Sequence, residues 1–195
     1  MKLYEVSLQT EDTGVNIISL VEEPAIDELF IKMNKESMEE IKLASDEKQI
    51  VIGAVLVPDK HIYRVRYNKG VREEFNIVFR KDVIEQIASK FINSPSINNV
   101  DIEHNEILLN KVNIVSSYIL SDELKDSRFS HLPNGSWIVA YKINDKKVWE
   151  EQIKAGKVKG FSIDGFFNLD LKMRSDESLD NLITTASNLI NSILK

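Results

Sequence analysis

Apolar and polar positions alternate over Leu3–Leu8, and a mostly apolar run fills Val15–Val21; both predict strands. The second run stops at Glu22-Glu23-Pro24, after which Ala25, Ile26, Leu29, Phe30 and Met33 recur at helical spacing. Pro24 suits the first turn of a helix, where its missing N–H is no loss, and the two acids favour the positive end of the dipole. Asn34–Gln49 is mostly charged with no strong apolar face and predicts a surface excursion. From Ile50 the pattern turns to strands: Ile50–Val57, stopped by Pro58-Asp59-Lys60, then Ile62–Tyr67 and Phe75–Phe79. Val83, Ile84, Ile87, Ala88 and Phe91 mark an amphipathic helix closed by Asn93-Ser94-Pro95. Strands are predicted at Asn99–His104, Val112–Leu120 and Trp137–Ile143, with a polar loop over Ser121–Gly135. Asp145 can cap a helix carrying Val148, Trp149 and Ile153 that stops at Gly156. Val158–Leu171 predicts one long strand, or two with a bend at Gly165. The last twenty residues place Leu179, Leu182, Ile183, Ala186, Leu189, Ile190, Ile193 and Leu194 on one helical stripe.

Many strands with scattered helices and no regular βαβ alternation predict an α+β fold. Its core would be a mostly antiparallel β-barrel or sheet with helices packed around it, followed by a C-terminal amphipathic helix. The division predicted is one domain over 1–172, with 34–49 as its charged excursion, and a tail over 173–195. At 195 residues and 43% hydrophobic content the chain can build a core without staples. Lys and Arg total 25 against 31 Asp and Glu, a net charge of −6, which argues against a general nucleic-acid binder. The absence of cysteine removes disulfides, thiolate chemistry and Cys-type metal sites. The N-terminal residues lack the apolar core of a signal peptide, and Ile50–Val57, the longest apolar stretch, is far short of the ~20 residues of a spanning helix. A soluble intracellular protein is expected.

Two places can carry chemistry. His61 follows a turn and His131 lies in the polar loop, whereas His104 closes the strand Val100-Asp101-Ile102-Glu103-His104. The second place is Gly160-Phe161-Ser162-Ile163-Asp164-Gly165, where glycines permit close backbone approach around a serine. A serine becomes a useful nucleophile when an imidazole takes its proton. The second glycine is one residue late for the α/β-hydrolase elbow, and extended residues follow. A bulge-flanked structural serine and a zinc site joining His104 and Glu103 with His61 or His131 are the competing readings; neither an H-E-x-x-H helix nor a cysteine supports the zinc.

Taken together, the chain resembles the prohead, or capsid-maturation, serine proteases of tailed bacteriophages, in the herpesvirus-assemblin-like clan. The resemblance rests on five segments in order. The first three are Ile18-Ser19-Leu20-Val21-Glu22-Glu23-Pro24-Ala25-Ile26, Ile52-Gly53-Ala54-Val55-Leu56-Val57-Pro58-Asp59-Lys60-His61-Ile62-Tyr63-Arg64 and Val100-Asp101-Ile102-Glu103-His104-Asn105. Gly135-Ser136-Trp137-Ile138-Val139 is the fourth, and Val148-Trp149 running into Gly156–Gly165 is the last. The resemblance implies Ser162 as nucleophile and His104 as general base in a serine endopeptidase that cuts scaffold and major capsid precursors, and itself, by acyl transfer. A third member is not carried over by the resemblance. Asp164 is the candidate, because two residues along a strand it shares a face with Ser162; a Ser–His dyad assisted by water is the other option. Asp101 and Glu103 have the opposite parity to His104 in a regular strand. The competing non-enzymatic reading is a structural capsid-assembly or scaffold protein that keeps the fold without activity.

The same resemblance implies host cytoplasm, within the assembling procapsid, as the location, with no cofactor, no metal, no nucleic acid and no membrane. The 176–195 stripe would either pack on its own domain or serve self-association or scaffold docking. Lys154, Lys157 and Lys159 could favour acidic substrate segments. Self-cleavage is expected within Asn34–Gln49 or at Lys172–Ser175.

Overall fold

Among the described residues most of the alternating and β-branched runs are extended. The computed structural model describes residues 1–10, 12–33 and 48–172. Their strands are β1 (Lys2–Ser7), β2 (Gly14–Val21), β3 (Ile31–Met33), β4 (Ile50–Leu56), β5 (Ile62–Asn68), β6 (Val71–Val78), β7 (Val100–Ile102), β8 (Val112–Ile119), β9 (Trp137–Ile143), β10 (Gly160–Phe166) and β11 (Asn168–Leu171). Helix α1 spans Lys81–Ile92, and the short α2 (Lys146–Val148) continues as π-helical turns over Trp149–Lys154. Asp145 caps α2 as its position predicts, accepting from the Lys147 and Val148 N–H groups at 2.9 and 3.2 Å.

The strands form three sheets, in the orders β11-β1-β6-β5, β10-β2-β7 and β3-β4-β9-β8. This corrects the predicted architecture: among the described residues there is no closed barrel, and helices are too few and short to surround the core. Two features set the sheets apart from the predicted antiparallel barrel. The pairs β1–β6 and β2–β7 are parallel, so the sheets are not one antiparallel meander. The chain also switches sheets at Phe167, with β10 pairing to β2 and β11 to β1. The switch follows a register shift between Asp164 and Gly165, the bend expected at that glycine. The expected C-terminal helix and the 34–49 excursion, apart from Lys48 and Gln49, lie outside the described residues.

A second correction concerns Pro24–Met33, where helical spacing predicted a helix. Pro24 instead opens a turn closed by the Asp27 N–H at 2.9 Å, and Asp27 takes φ +54°. Leu29 then bridges to Gly160, the Phe30 N–H donates to Lys159 O at 2.8 Å, and β3 pairs with β4. Tertiary pairing wins over the periodicity because Phe30 is buried against Phe161 in this extended path.

The core lies between the sheets and α1, whose Ile84, Ile87, Ala88 and Phe91 are buried. Trp137, Tyr141 and Phe161 fill its centre, and Phe91 meets Trp137 edge-on with ring centroids 5.5 Å apart. The polar tips are satisfied: Trp137 Nε1 donates to Ser117 Oγ at 2.9 Å and the Tyr141 hydroxyl to Ile97 O at 3.0 Å. A fully buried Ile or Leu here contributes roughly 1.5–3 kcal/mol. Strand β10 has this core on one side and the candidate site on the other.

Candidate active site

Antiparallel pairing of β10 with β2 sets Ser162 opposite Ser19, and Asp164 opposite Ile17. Paired residues project to the same face of a sheet, as do residues two apart on one strand, so Ser162, Asp164 and Ser19 share a face. On the far side of β2, parallel β7 places Asp101 beside Ser19. Ser19 and Asp101 are fully buried, while Ser162 retains 8% exposure.

The glycines around Ser162 are required by close packing of the protein on itself. A Cβ on Gly165 would fall 2.0 Å from Gly14 O, and one on Gly160 would fall 2.7 Å from Glu28 O.

His104 does not continue the strand. Chain extension ends at Ile102, and Glu103, His104 and Glu106 all take left-handed φ, at +54°, +54° and +60°. Non-glycine residues hold that conformation only where surrounding bonds enforce it. Here the Glu103 N–H donates to Leu20 O at 3.0 Å, and the Glu106 N–H donates to the buried Asp101 Oδ2 at 2.8 Å. Glu103 Oε1 accepts from the Glu22 N–H at 2.5 Å. The parity argument against Asp101 therefore does not apply: the strand has ended, and Asp101 serves to fix the turn. Its other oxygen, Oδ1, is buried without a hydrogen-bond partner among the described residues.

This turn lays the imidazole across the sheet. His104 Nδ1 is 2.7 Å from Asp164 Oδ2 and 3.0 Å from Ser19 Oγ, and Ser19 Oγ is 3.4 Å from the same Asp164 oxygen. Of the three predicted site residues, His104 and Asp164 are thus brought into contact. Ser162 makes no hydrogen bond to His104, but both line one cavity of about 420 Å³ with Asp164 and Arg64. Val55, Leu56, Ile77 and Phe79 give it apolar walls on one side, and Glu23 adds a second carboxylate to its lining. A cavity with apolar walls and a few convergent polar groups is the usual form of a substrate site.

Arg64 supplies the cavity's cation. It donates to Tyr63 O at 2.9 Å; burial draws its guanidinium down from the ordinary value, and the negative charge of Asp164 opposes that shift. None of the lysines before Ser162 lines the cavity. Lys159 pairs with Glu22 at 3.0 Å and Lys154 with Glu150 at 3.3 Å. His131 sits 3.0 Å from Glu28 and is exposed, as is His61. No group of three or more His, Asp or Glu side chains is arranged to hold a metal ion among the described residues. No helix among them is long and apolar enough to cross a membrane.

Ser19 and Arg64 were not singled out from the sequence. Ser19 had a visible signal, a hydroxyl in the otherwise apolar Ile17-Ile18-Ser19-Leu20-Val21. Arg64 had none beyond alternation, since its cavity exists only after β5 is placed.

A family model described as "Putative phage serine protease XkdF" matches residues 37–169. That is more than half of the chain, and the chain belongs to this family of phage serine protease-like proteins. No curated protein and no solved structure matches it.

Proposed function

We propose that the chain is a serine endopeptidase of phage procapsid maturation, similar to the assemblin-like clan, with Ser162 as nucleophile, His104 as general base and Asp164 as the orienting acid. The observation that carries this reading is the 2.7 Å contact of His104 with Asp164 at the wall of the cavity that Ser162 also lines. A lone pair on Nδ1 facing a carboxylate at that distance would be repelled, so Nδ1 carries the proton and donates it. In the neutral ring Nε2 is then the basic nitrogen. Ser162 Oγ attacks a peptide carbonyl as its proton passes to Nε2; the imidazolium, held by Asp164, returns that proton to the leaving amine. Water repeats the attack on the acyl-enzyme and frees Ser162.

Ser162, rather than Ser19, is assigned the attack because it lines the cavity, whereas Ser19 is fully buried. Directly opposed side chains on neighbouring strands have Cβ atoms roughly 5 Å apart. Ser162 is therefore one strand spacing from the hydroxyl that touches His104, and such contacts tighten when substrate binds.

The substrates proposed are scaffold and major capsid precursors, and the chain itself within 34–49 or at 172–175, inside the assembling procapsid of the host cytoplasm. Residues 176–195 are proposed to mediate self-association or scaffold docking, which deletion of that segment would abolish. Co-expression with the scaffold and capsid precursors of the same phage tests the function. The parent should shorten them and Ser162→Ala should leave them full length; identical fragments from both refute the assignment. The absence of a Ser162–His104 hydrogen bond favours the second reading, an inactive assembly protein, under which neither protein shortens them.

A further inference from the structure

We infer that Ser19 is a positioning residue of the hydrolytic site: its hydroxyl donates to Asp164 and locks the carboxylate and the His104 ring in their working orientation. The inference rests on the serine-protease reading above. Three atoms form a closed triangle, with 2.7 Å from His104 Nδ1 to Asp164 Oδ2, 3.0 Å from Nδ1 to Ser19 Oγ, and 3.4 Å from Oγ to Oδ2. Proton bookkeeping decides how this triangle is used. The Nδ1 proton points at a carboxylate, so Nδ1 has no lone pair in the ring plane left to accept from Ser19. The Ser19 O–H must then be given to Asp164 Oδ2, and its oxygen faces the shared Nδ1–H. A hydroxyl so placed cannot lose its proton to Nε2, and full burial keeps any substrate carbonyl from reaching it.

The setting makes the donation matter. Asp164 and His104 keep 43% and 39% of their side-chain exposure, so water competes for the carboxylate from one side. Ser19 approaches from the dry side, on the central strand of the β10-β2-β7 sheet, and its position is fixed by pairing to both neighbours. It is therefore the rigid member of the group, between two partners that reach it from a strand and from a strained turn. At 3.4 Å the donation is longer than a full-strength charge-assisted bond, and its loss corresponds to about a 10-fold effect on a step that depends on it.

Two measurements on the full chain test the assignment. In ¹⁵N spectra of the parent, the signals of the neutral His104 ring, identified by their loss in His104→Gln, should show Nδ1 protonated and Nε2 bare. The opposite tautomer would overturn the inference, because Ser19 would then donate to the ring. The second measurement is the rate of Ser162 acylation by p-nitrophenyl acetate. Ser19→Ala should slow it about 10-fold at saturation with KM changed less than 2-fold, and Ser19→Thr, which keeps the hydroxyl, should recover most of the rate. In an Asp164→Asn background the same Ser19→Ala change should cost less than 2-fold, since the acceptor is already altered. Equal losses in both backgrounds, or no loss in either, would overturn the positioning role. Acylation unaffected by Ser162→Ala would instead refute the underlying protease reading.

Discussion

At the scale of single residues, the informative groups are charged or polar side chains held where few would choose to sit. Asp101 is buried to hold the turn that presents His104, and the parity of its strand hid that role. Ser162 and Asp164 were legible because strand alternation alone places them on one face. The meeting of Asp164 with His104 was not, since it depends on contacts such as Ser19 to His104, 85 residues apart. A separate residue-scale tether offers a pH test. Asp126 is held at about 2, below its ordinary 3.8, chiefly by the Arg128 side chain, with the Tyr118 hydroxyl adding to it. A carboxylate lowered in this way stabilises the fold fully above pH 3.8, and that contribution disappears as pH falls through about 2. Urea melts should therefore show the parent more stable than Asp126→Asn by about 1–3 kcal/mol near neutral pH, a gap that closes between pH 4 and pH 2. A gap independent of pH would contradict the assignment.

At the scale of elements, the strands were largely legible because β-branched runs and turn residues coincide, as in Ile50–Val57 before Pro58-Asp59-Lys60. The stretch after Pro24 was not, because periodicity cannot register that Phe30 gains a partner in Phe161 by being extended. Gly53 belongs to the same event: a Cβ there would lie 2.9 Å from the Phe30 backbone. The β2–β10 pair carries both Ser19 and Ser162, so its register is the element-level basis of the site. Gly165→Ala would drive a methyl into Gly14 O and should destabilise the protein by about 1–3 kcal/mol. It should also slow Ser162 acylation, whereas a variant that melts and reacts like the parent would show that this register is not needed.

For the whole molecule, the resemblance and the family match agree on a family of phage serine protease-like proteins, and the architecture departs from a closed barrel into three sheets. That departure could not be read from the chain, because closure is decided by which strands meet: β1 with β6 and β2 with β7, both in parallel. It nevertheless leaves β10 between core and cavity, with the turn after β7 reaching across β2 to meet it. Nothing in composition specifies that arrangement; the order of the five matched segments only suggested that a histidine and a serine belong together. The most direct measurement is to treat the intact protein with a fluorophosphonate and map the adduct by mass spectrometry. The account predicts one adduct, on Ser162, formed at least 100-fold more slowly in His104→Gln. An adduct on Ser19, no adduct at all, or labelling of Ser162 indifferent to His104 would contradict it.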